Sequence, residues 1–80
     1  MKLSNFYRAD DMTSTSYPYT SLPAEFALLR AMANNVKELE LTPDEFITCM
    51  RYAINADLYH QVSDETGTYP TILAMKIIVI

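Results

Sequence analysis

His60 is the single histidine of this 80-residue chain, with Asp57 three residues before it and Asp64 four after. An imidazole beside a carboxylate is the kernel of an acid–base or nucleophilic relay, which also needs a thiol or hydroxyl within hydrogen-bond reach. Cys49, the only cysteine, lies eleven residues upstream. On one helix that is about three turns, or ~16 Å along the axis. The spacing predicts a solvated histidine tuned by carboxylates, not a catalytic dyad. One cysteine and one histidine also fall short of the four ligands of a zinc site. The pairs Asp10–Asp11 and Asp64–Glu65 are adjacent in sequence, and neighbours do not chelate a hard cation without a shaped loop. Gly67 is the only glycine, so no glycine-rich phosphate loop is available. No catalytic residue, metal or cofactor is expected.

The six tyrosines, set against no tryptophan, point elsewhere: Tyr7, Tyr17, Tyr19, Tyr52, Tyr59 and Tyr69. Tyrosine offers a large contact area at low entropic cost and is enriched at interfaces. Tyr17 and Tyr19 flank Pro18 in a hydroxyl-rich stretch that follows Asp10 and Asp11. These four residues, Asp10, Asp11, Tyr17 and Tyr19, form the expected partner-binding patch, an acidic loop suited to a basic surface.

These residues need a scaffold, and the helices are the clearest part of it. Residues 9–21 read as a loop. A helix is predicted over 22–39, with Phe26, Leu29, Ala33 and Val36 inward and Leu28 and Met32 widening the stripe. A second is predicted over 42–62. Thr42 is its N-cap, Pro43 occupies N1, Glu45 closes a capping box, and Leu41 and Phe46 sit at the staple positions. Ile47, Met50, Ile54, Leu58 and Val62 form its expected inner stripe, joined by Phe46 and Ala53. Two or three linking residues would fold the pair into an antiparallel hairpin.

The last residues supply the sheet. Residues 71–80 follow Pro70 and read as a strand apolar on both faces, with Leu73, Met75, Ile77 and Val79 on one and Ile72, Ala74, Ile78 and Ile80 on the other. Residues 1–8 are a short extended segment and the one visible partner for it within the chain. The predicted fold is therefore one α+β domain, residues 1–80, with a helical hairpin on a small sheet. A second copy is expected to complete that sheet through Leu73, Met75, Ile77 and Val79.

Composition narrows the function. Half the residues are hydrophobic, a fifth are charged, and the net charge is −4. That balance disfavours direct binding to nucleic acid or to an anionic membrane. The start of the chain has no apolar core of a secretory signal, and the terminal apolar run is half a membrane span. With a single cysteine, this reads as a cytoplasmic protein. In general character the chain is similar to small phage and mobile-element accessory proteins, among them anti-CRISPR inhibitors that occupy a surface on a larger machine. That likeness implies a protein-interaction protein that acts stoichiometrically on a larger partner. Two other expectations are a structural component of a phage particle and an oligomer binding an acidic small ligand or nucleotide with Arg8, Arg30 or Arg51.

Overall fold

The computed structural model describes residues 1–12 and 21–80. Helix α1 spans Ser21–Ala33 and α2 spans Pro43–Asn55; the strands are β1, Glu38–Leu41; β2, Tyr59–Asp64; β3, Gly67–Ile72; and β4, Met75–Val79. The class is α+β, with two helices and a four-stranded mixed sheet ordered β1-β4-β3-β2. Strand β1 runs parallel to β4, and β2, β3 and β4 form an antiparallel meander.

Both helices are shorter than the sequence suggests, and for the same reason. At the end of α1 the Val36 N–H donates to Ala31 O at 3.3 Å and the Asn35 N–H to Met32 O at 3.1 Å. Asn35 takes a left-handed backbone, φ 55°. At the end of α2 the Leu58 N–H donates to Ala53 O at 2.7 Å and the Asp57 N–H to Ile54 O at 3.2 Å, with Asp57 at φ 63°. These are two Schellman stops in which Asn and Asp take the place usually given to glycine. The start of α2 is as expected: Thr42 and Glu45 form the complete capping box, with Pro43 opening the helix.

The segment between the helices is not a bare link. It contains β1, in which Leu39 and Leu41 are buried and Glu38 and Glu40 face away. A strand therefore separates the two helices, which still pack on one another. The apolar run after Pro70 is also not one strand. Leu73, at φ 55°, and Ala74 make a two-residue turn, so Ile72 closes β3 and pairs with Met75 at the start of β4. Ile72, Met75 and Ile77 then share the inner face with Leu39 and Leu41. Residues 1–8 are not an extended partner for the last strand. Lys2 bridges to Glu40 of β1, and Leu3–Phe6 turn away as a 3-10 segment that buries Leu3.

The core is sealed within one chain. Leu3, Leu28, Leu39, Leu41, Ile72 and Cys49 are fully buried, joined by Ala24, Ala27, Ala31, Ala53, Met50, Met75 and Ile77. The buried stripe of α1 is Ala24, Ala27, Leu28 and Ala31, with Leu29 40% exposed. The helix thus presents its alanines inward, where small side chains permit close approach. The larger residues that suggested the opposite phase lie at the margin.

Candidate interaction face

The residues expected to bind a partner are placed unequally. Asp11 belongs to the framework. Arg30 on α1 grips it with two parallel bonds of 2.7 Å, and the Arg8 N–H adds a third at 2.8 Å. The Asp11 side chain is 3% exposed. The same guanidinium donates to Phe6 O and lies over the Phe26 ring. These bonds hold the Asp11 carboxyl down at about 2. Asp10 is exposed beside this pair and its charge helps keep Arg30 protonated. Tyr17 and Tyr19 lie outside the described residues. Of the four strand residues expected at a self-interface, Met75 and Ile77 are in the chain's own core, and Leu73 and Val79 are each 49% exposed.

The groups considered for chemistry are held apart. His60 is exposed on β2, not on a helix, and Asp64 lies four strand residues away, about 13 Å. Asp64 is instead engaged by Thr66 and by the Tyr69 hydroxyl, which hold its carboxyl below the usual range. Cys49 is sealed in the core; burial, with the charges of Glu45 and Glu25, pushes its thiol up to about 12. A thiol so protonated is no nucleophile. Glu45 also accepts from the Tyr7 hydroxyl, pinning the N-terminal segment to α2. Among the described residues no group of three or more His, Cys, Asp or Glu is placed to hold a metal ion, and no helix is long and apolar enough to cross a membrane.

One concavity lies between the end of α1 and the β3–β4 turn, lined mainly by Met32, Val36, Lys37, Ile72, Leu73 and Met75. Its volume of about 160 Å³ is below the ~300–1,000 Å³ of small-molecule sites.

The outer face of α2 offers more. Its buried side is Cys49, Met50 and Ala53, with Phe46 packed against the core. That leaves Ile47 and Ile54, expected to point inward, 55% and 60% exposed. Seven residues apart, they share one face about 10 Å long. Asp44 and Arg51 are exposed and complete the spacing i, i+3, i+7, i+10. Of the expected inner stripe, Met50 and Ala53 are buried; Cys49 is the buried residue the periodicity passed over in favour of the more hydrophobic isoleucines.

No family model, curated protein or solved structure matches this chain at a significant level.

Proposed function

We propose that this chain is a small interaction protein that acts by stoichiometric occupation of a surface on a larger protein, as an inhibitor or assembly factor. The observation that carries this reading is the second apolar stripe of α2. Ile47 and Ile54 stay in water although the core is closed without them. Isoleucine is a mediocre helix former and an unfavourable surface residue, so its use twice on one exposed face supports contact with a partner. Such a face fits a groove on the partner, read through anchors at helical spacing.

The net charge of −4 favours a partner with a basic surface. Machines that handle nucleic acid carry such surfaces. The concrete form of the proposal is therefore a phage or mobile-element inhibitor of a host machine of that kind. Titrating the chain into the isolated target tests the mode of action. The effect should reach its end point at a fixed molar ratio, near one chain per site. Full inhibition by a small fraction of an equivalent would indicate turnover and overturn the proposal.

A further inference from the structure

The two edges of the sheet are treated differently. The β1 edge is closed by the chain itself. The N-terminal ammonium donates to Glu38 O at 3.2 Å and lies 3.4 Å from the Glu40 carboxylate, and the Glu40 N–H donates to Met1 O at 2.8 Å. The opposite edge is β2, whose outward side meets no strand among the described residues.

The alternation of main-chain groups fixes what β2 presents. The Leu73 N–H donates to Leu58 O, and β2 pairs with β3 as Tyr59↔Ile72 through Asp64↔Gly67. Even-numbered residues of β2 therefore direct their N–H and C=O groups at β3. Those of Tyr59, Gln61 and Ser63 point outward. The same alternation aims Pro70, which has no N–H, at β4. The ladder between β3 and β4 stops just before it, at Thr71↔Lys76. Beyond that point the hairpin stands out from the sheet, with His60, Gln61 and every residue from Ser63 to Thr68 exposed.

Edge strands are normally guarded by lysine, proline, a bulge or an inward charge. The sequence of β2, Tyr-His-Gln-Val-Ser-Asp, has no lysine or proline, and it pairs with β3 without a bulge. It is also self-complementary. In an antiparallel pair of β2 strands with the two-fold axis at Val62, each Val62 faces its equivalent. Each His60 then faces Asp64 of the other copy, on the same sheet face. Gln61 and Ser63 exchange main-chain hydrogen bonds in both directions, four in all. Moving the axis to His60 sets two histidines against each other. Moving it to Gln61 pairs His60 with Val62 and leaves Asp64 opposite Leu58. Only the Val62 register sets an imidazole opposite a carboxylate, a hydrogen-bonding match, across both flanking pairs.

We infer that β2 is the docking edge for a second copy of this chain, joined antiparallel about Val62 into a continuous eight-stranded sheet. This interface differs from the one expected at the C-terminal strand, and it is independent of the proposed target. Sedimentation of the full chain between about 10 and 200 µM, in ~0.15 M salt to screen repulsion between acidic copies, should show a monomer–dimer equilibrium. Gln61→Pro removes an outward N–H that β3 does not use, so it should sediment as a monomer with an unchanged circular dichroism spectrum. Val62→Cys tests the register without weakening the edge. Facing residues at such a position lie about 4.5 Å apart at Cα, within disulfide range, so it should oxidise to a covalent dimer while Gln61→Cys does not. A monomer across the whole concentration range would overturn the inference. So would a folded Gln61→Pro variant that still dimerises, or cross-linking through residue 61 in preference to 62.

Discussion

At the scale of single residues, the Asp11–Arg30 pair is a bidentate ion pair that ties the N-terminal segment to α1. It joins the 3-10 turn Ala9–Met12 to α1, with the Asp11 side chain 3% and the Arg30 side chain 24% exposed. Removing one partner of such a pair strands the other, and that is costly. Asp11→Asn should therefore lower the Tm by more than about 5 °C at pH 7. The pH dependence follows from the depressed carboxyl, held at about 2 in the fold against 3.8 for an ordinary aspartate. A lowered value means the stabilisation is complete above about pH 4 and is lost as the pH falls toward 2. Thermal melts from pH 2 to 7 should show an acid limb in the wild-type chain that is much reduced in Asp11→Asn. Parallel limbs in the two proteins would contradict this account. The pair was not legible in the sequence, because nineteen residues separate its members and only packing brings them together.

At the scale of elements, beginnings were easier to read than ends. The start of α2 is written locally: the Glu45 N–H donates to Thr42 Oγ1, the Thr42 N–H donates to Glu45 Oε1, and Pro43 at N1 has no N–H to leave unpaired. The ends depend on Asn35 and Asp57 in the left-handed region, a role that glycine advertises and these residues conceal. Without that signal the expected α1 extends over Glu38 and Leu39, the first half of β1, and the expected α2 over Tyr59 to Val62 of β2. The β3–β4 turn was hidden in the same way, since Leu73–Ala74 lacks the Asn-Gly type of signal. A direct check is at Asn35. Asn35→Gly should match or exceed the wild-type Tm, and Asn35→Val should cost ~1–2 kcal/mol in urea unfolding. Equal stability of all three proteins would show that the left-handed stop carries no weight.

At the scale of the whole molecule, hydrophobicity and closure give different answers. The terminal residues suggest a sheet completed by a second chain; Ile72, Met75 and Ile77 belong to the core cluster of this chain, and Leu73 and Val79 are each 49% exposed. Among the described residues, the exposed apolar side chains include Ile47 and Ile54 on α2 and Leu73, Val79 and Ile80 about β4, and the outer edge of β2 meets no strand. The α+β class and the presence of the C-terminal strand were legible. The candidate face was not, because its isoleucines resemble core residues in every respect except the location of the small residues behind them. The face is most directly tested by paired capture from the lysate of a cell that carries the gene, using the wild-type chain and Ile47→Glu/Ile54→Glu as baits, with both verified as folded by thermal melts. One protein should be retained by the wild-type chain in a fixed ratio and lost from the double variant. Equal retention of that protein by both baits would contradict the assignment of α2 as the contact face.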